Sequence, residues 1–154
     1  MRWAATLLRA MLGLSQAPAQ ATVDELVDAA RDAHVPVALV LAVCQVESGL
    51  GTRGAILCGC GRDRGVRAQA RCASATLAHG RRLCGGWGGA LRRYRWGACR
   101  SPDPTGYVRR VGAVARRISG RGRNRKIARG PLHDACGTCT DAAHGDRCSC
   151  RRWA

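Results

Sequence analysis

Glu47 is one of only two glutamates in the chain, and it closes the most hydrophobic stretch of the sequence, Val37 to Val46. A carboxyl group at that place feels two effects of the same sign. Burial among apolar neighbours disfavours the carboxylate, and so does the negative end of a helix dipole. It is therefore expected to hold its proton to higher pH than a free glutamate, which suits donation to a leaving oxygen and later recovery of a proton. The plainer alternative is a solvated glutamate just past a helix end.

Cysteine supplies the second kind of chemistry. Ten cysteines, an even number, are compatible with five bridges made in an oxidising compartment. Bridges can pin the loop around Cys58 and Cys60 to helices carrying Cys72, Cys84 or Cys99, each typically adding about 2–4 kcal/mol. Cys44, inside the apolar stretch, reads equally well as an inert core thiol. Near the end of the chain, Cys136 and Cys139 precede Cys148 and Cys150, with His133 and His144 close by. Four thiolates so spaced can bind zinc, but an exported protein more readily oxidises them. Disulfides are the favoured reading, and no cofactor is expected. His79, alone on its presumed helix, reads as a surface residue.

Charge is the third. The formal net charge is +16 and only Lys126 is a lysine, so arginine carries nearly all of it. Arginine stays ionised and grips anionic oxygens in a bidentate fork, which points to a polyanionic partner: acidic wall polymer, lipopolysaccharide, lipid headgroups or nucleic acid. Arg109, Arg110, Arg116, Arg117, Arg121, Arg123, Arg125, Lys126 and Arg129 form a stretch without an acid. Aromatic residues do not interleave it, so base stacking is not suggested and nucleic acid is an unlikely partner. A solvated helix face running into a disordered arm accounts for the same residues.

The elements that must position these groups are mostly helical. The chain has no Phe and is 46% hydrophobic, so alanine, valine and leucine must build the core, and alanine-rich stretches favour helix. Arg2, the apolar run Trp3 to Leu14 and the small residues through Ala21 resemble a signal peptide over 1–21, cleaved after Ala19 or Ala21. Thr22 with Glu25 forms a capping box for a helix whose Val23, Leu26, Val27 and Ala30 share a stripe. Pro36 suits the first turn of the next helix, which must be buried all round and stops at Gly49 in a left-handed cap. No stretch is long enough to span a bilayer. After a glycine- and cysteine-rich loop, helices are predicted from about Val66 to Leu83, from Trp87 to Tyr94, and from a Thr105 cap with Tyr107, Val111, Val114 and Ile118 on one face. The pattern is lost after Ser119. One domain over 22–119, a basic flexible linker over 120–132 and a cysteine-rich tail over 133–154 follow from this.

The order of these pieces resembles the soluble lytic transglycosylase family. Val35 to Val43 leading to Val46, Glu47, Ser48 and Gly49 is similar to its buried helix ending in a catalytic Glu-Ser pair. Trp87, Ala90, Leu91, Tyr94 and Gly97 resemble its tryptophan, alanine-leucine and tyrosine segment, and Gly106, Tyr107, Val108, Arg110 and Val111 its late tyrosine-valine helix. The resemblance covers about Val23 to Ile118. It implies an all-α, lysozyme-like domain of the goose-type or lytic transglycosylase kind, secreted or periplasmic, acting on peptidoglycan glycan strands. It further implies that Glu47 is the single catalytic acid and base, that Ser48 hydrogen-bonds near the site, that Tyr107 orients Glu47 or touches sugar, and that Tyr94 lines or braces the same wall. Two departures bear on substrate contact. Ile56, Leu57, Cys58 and Gly59 stand where the family carries a Gly-Leu-Met-Gln type segment, and Arg95 stands where it carries asparagine. Two other readings remain: a wall-binding protein on the same fold with its chemistry lost, and a basic nucleic-acid-binding protein with a zinc tail.

Overall fold

The computed structural model describes residues 4–53, 57–60 and 65–120. These form six helices, and among the described residues there is no strand. They are α1 (Ala4–Leu12), α2 (Gln20–Asp32), α3 (Val37–Ser48), α4 (Val66–Cys84), α5 (Trp87–Trp96) and α6 (Tyr107–Ile118). The linker and tail fall outside the described residues, and with them the zinc alternative at Cys136, Cys139, Cys148 and Cys150.

α3 lies at the centre because its sequence has no polar face to offer to water. Leu39 through Cys44 are all buried, and the helix packs on α2 along one side and on α6 along the other. α2 also packs on α4, and α4 on α5. Their shared core includes Leu26, Ala30, Ala70, Leu77, Ala90 and Leu91. With no Phe to fill gaps, helices must approach closely. Gly80 permits this, since a Cβ there would meet the Ala90 Cα at 3.2 Å.

Part of the expected leader, 4–12, is α1, which packs on α6 and α2 through the buried Ala5 and Leu8. The Gln20 side-chain oxygen accepts from the Ala5 backbone N–H at 3.2 Å, and its amide donates to Asp24 at 2.8 Å. This bridge starts α2 earlier than the capping box required. Ala19 is the N-cap, Thr22 lies inside the helix, and Glu25 instead pairs with Arg67 of α4 at 3.1 Å.

The start of α6 is also corrected. Thr105 does not cap it. The Asp103 carboxylate accepts from the backbone N–H groups of Tyr107 at 2.6 Å and Val108 at 3.0 Å, because two oxygens satisfy two of the orphan donors that a single hydroxyl cannot.

Three cysteine pairs stand at bonding distance: Cys44 with Cys58, Cys60 with Cys72, and Cys84 with Cys99. Cys44 is therefore not a free core thiol. Among the described residues no helix is long and apolar enough to cross a membrane.

Candidate active site

The site begins with how α3 ends. Gly49 takes the left-handed conformation, as its sequence position predicts, but the chain does not leave it there: Leu50 and Gly51 also have positive φ. A left-handed leucine costs about 1–2 kcal/mol, and here the side chain is fully buried, which offsets that cost. The turn is closed by Leu50 N–H donating to the Cys44 carbonyl at 3.2 Å and Arg53 N–H to the Ser48 carbonyl at 3.1 Å. The Arg53 guanidinium caps the Gln45 carbonyl at 3.1 Å, placing a cation at the negative end of the helix.

Ser48 is 5% exposed, and its hydroxyl is fully engaged. It donates toward the Cys44 carbonyl at 3.2 Å and the Leu57 carbonyl at 2.5 Å, and accepts from Gly51 N–H at 3.0 Å. Its place is that of a brace between the helix end and the loop. Loop residues 57–60 are held from several sides. Gln69 accepts from Leu57 N–H at 2.6 Å, the Tyr94 hydroxyl donates to the Cys58 carbonyl, and two disulfides tie Cys58 to α3 and Cys60 to α4.

Clamped in this way, the loop lays Gly59 against the carboxyl group. A Cβ there would sit 3.8 Å from both Cδ and Oε2 of Glu47 and 3.9 Å from the Tyr94 hydroxyl oxygen. These are ordinary contact distances, so it is the backbone, with a φ of +79° at Gly59, that favours glycine here. The segment that departs from the lytic transglycosylase pattern is therefore the one that walls in Glu47; Ile56 itself lies outside the described residues.

Three helices converge on Glu47. Its side chain is 16% exposed, and Arg95 Nη1 of α5 lies 3.7 Å from its Oε2. Tyr107, from the first turn of α6, is 2% exposed. Its ring meets Trp96 edge-on, with centroids 5.8 Å apart, and the Arg95 guanidinium lies 5.8 Å from its centroid. Burial first, then the charge of Glu47, push the Tyr107 phenol far above its ordinary 10.0. Its hydroxyl has no partner in good hydrogen-bonding geometry, so its contact with Glu47 is a near approach and not a formed bond. Burial and then the Glu47 charge likewise raise Tyr94. Both phenols stay neutral, as donors, at any working pH.

The structure thus brings Glu47, Ser48, Tyr94 and Tyr107 together. Sequence reasoning missed three participants: Arg95 as a charge beside Glu47, Gly59 as its wall, and Asp103 as the group that fixes Tyr107. For Asp103 a signal existed, since Asp four residues before an apolar helical face is a cap candidate. Among the described residues no group of three His, Cys, Asp or Glu is placed to hold a metal ion. The chain matches no protein family, no characterised protein and no solved structure with which it was compared.

Proposed function

We propose that the chain is a secreted lytic transglycosylase-like enzyme that cleaves peptidoglycan glycan strands between N-acetylmuramic acid and N-acetylglucosamine. The observation that carries this reading is one sheltered carboxyl group, Glu47, at the end of a buried helix, with the unsatisfied hydroxyl of Tyr107 beside it. Glu47 gives its proton to the leaving O4 as the C1–O4 bond breaks. As a carboxylate it then takes the proton of the muramic C6 hydroxyl while O6 bonds to C1, leaving a 1,6-anhydro sugar. No water is consumed. One carboxyl suffices because the nucleophile belongs to the substrate, whereas most glycosidases need a flanking pair. The unpartnered Tyr107 hydroxyl is free to donate to Glu47 or to the sugar once substrate is bound, and Tyr94 with Ser48 braces the loop that walls the carboxyl group. Three disulfides support export to an oxidising compartment. The exposed Arg109, Arg110, Arg116 and Arg117 of α6 supply a surface for anionic wall polymer or lipopolysaccharide.

The Arg95 contact favours a second reading, in which the guanidinium occupies Glu47 and the fold binds wall strands without cutting them. Digestion of purified peptidoglycan followed by mass spectrometry separates the two. The enzyme reading predicts anhydro-muropeptides whose yield falls about 10²–10⁴-fold in Glu47→Gln. Strands bound but uncut by the wild type would leave the binding reading in its place.

A further inference from the structure

Arg95 sits where the acid–base role of Glu47 does not need it. Its nearest nitrogen is 3.7 Å from the Glu47 carboxylate, longer than a hydrogen bond. Its approach to the Tyr107 ring, at 5.8 Å, is near the outer limit for a cation over an aromatic face. Its side chain is 51% exposed, against 16% for Glu47, and neither α5 nor α6 contains an acidic residue. A guanidinium carries five donors in a flat fork that matches a carboxylate with two parallel bonds. Among the described residues the Arg95 guanidinium makes no hydrogen bond, its nearest acceptor being Glu47 at 3.7 Å. An unsaturated fork thus stands half in solvent, directly beside the proposed acid.

The substrate class offers a group to fill it. Muramic acid bears a lactyl ether on C3, two ring bonds from the C1 at which cleavage occurs. In strands that carry stem peptides its carboxyl group is tied up in an amide; in strands stripped of peptide it is a free carboxylate. We propose that Arg95 recognises this carboxylate, making the site selective for peptide-free glycan strands. The bound carboxylate takes the fork away from Glu47, which is left to serve the leaving oxygen. This inference rests on the reading of Glu47 as the cleaving group, but its recognition step is measurable apart from cleavage.

The test compares peptide-free strands with the same strands after their lactyl carboxylates have been coupled to methylamine, a small change that removes the negative charge and makes the amide that a stem peptide would make. Full-length wild type is expected to prefer the free carboxylate about tenfold, chiefly through KM. The preference should fall to within about twofold in Arg95→Gln, persist in part in Arg95→Lys, and be unaffected in Arg82→Gln, an exposed arginine in the last turn of α4. Binding of both strand forms to Glu47→Gln and to the Glu47→Gln/Arg95→Gln double variant, by calorimetry, supplies the readout without turnover. If the wild type cleaves both forms equally, or if Arg82→Gln erodes the preference as much as Arg95→Gln does, the proposal is overturned while the enzyme reading stands. If nothing is cleaved but Arg95-dependent binding of the free carboxylate remains, the enzyme reading falls and the recognition stands. Absence of both cleavage and binding overturns both.

Discussion

Helices α3 and α6 supply the two groups that face each other at the site, and they are fixed in opposite ways. α3 is apolar on every side, with Leu39 through Cys44 all buried, so Glu47 takes its position from a core that surrounds its helix. α6 buries only Tyr107 and Val111 fully and turns four arginines to solvent. Its register is set at its first turn, where Asp103 accepts two backbone N–H groups. The carboxyl group is thus placed by non-local packing, and the phenol beside it by a local polar cap. Damage to the first should cost the whole fold; damage to the second should cost mainly the site.

The sharpest way to break this comparison is to hollow out α3. Leu41→Ala should destabilise by about 2–5 kcal/mol, since it leaves a cavity in a closely packed interior, and the midpoint of denaturant unfolding will register it. A loss below about 1 kcal/mol would show that α3 is not embedded as described.

Alkaline pH acts next, on the two phenols. Tyr94 and Tyr107 are raised in the native state above the ordinary 10.0. Below pH 10 both native and unfolded chains hold these protons, so they give no pH dependence. Above it the unfolded chain releases them and the native chain does not, so stability falls as pH rises, by about 1.4 kcal/mol per pH unit for each tyrosine. Chemical denaturation at stepped pH should show this slope, halved in Tyr94→Phe or Tyr107→Phe. A slope unchanged by either substitution would mean that the phenols are not sheltered as the structure has them, Tyr107 fully and Tyr94 in part.

Removing the cap of α6 is a smaller change. Asp103→Ala should cost about 0.5–2 kcal/mol, with a loss of strand cleavage larger than that destabilisation explains, and Asp103→Asn should recover part of both. Smallest of all, Arg116→Ala on the outer face of α6 should change stability by no more than about 0.5 kcal/mol; thermal melts that moved as far as for Asp103→Ala would erase the proposed contrast between the cap and the exposed face.

The same contrast decides what was legible in the sequence. α3 was readable with its boundaries and its glycine cap because a run without polar residues admits few alternatives: it has to be buried, and its polar neighbours mark where it stops. α4 and α5 were readable in position from their periodicity and the Gly85, Gly86 break. The starts of α2 and α6 were not, because Thr22 and Thr105 fit the cap pattern locally while the actual solutions involve Gln20 bridging to α1 and Asp103 reaching over an intervening turn. Glu47 and the two tyrosines were legible as candidates from residue type and order. Their surroundings were not: the cysteine pairing, Arg95 and the left-handed Leu50 depend on which loop comes to lie against which helix, and spacing along the chain does not encode that.

The central claim is that Glu47 moves a proton onto the leaving oxygen and takes one back from the substrate, with water excluded from the bond change. It is tested most directly by digesting peptidoglycan in oxygen-18-labelled water and weighing the released fragments by mass spectrometry. The account predicts fragments ending in an anhydro sugar without the label, and no such fragments from Glu47→Gln. Labelled reducing ends, or equal product from Glu47→Gln, would contradict it.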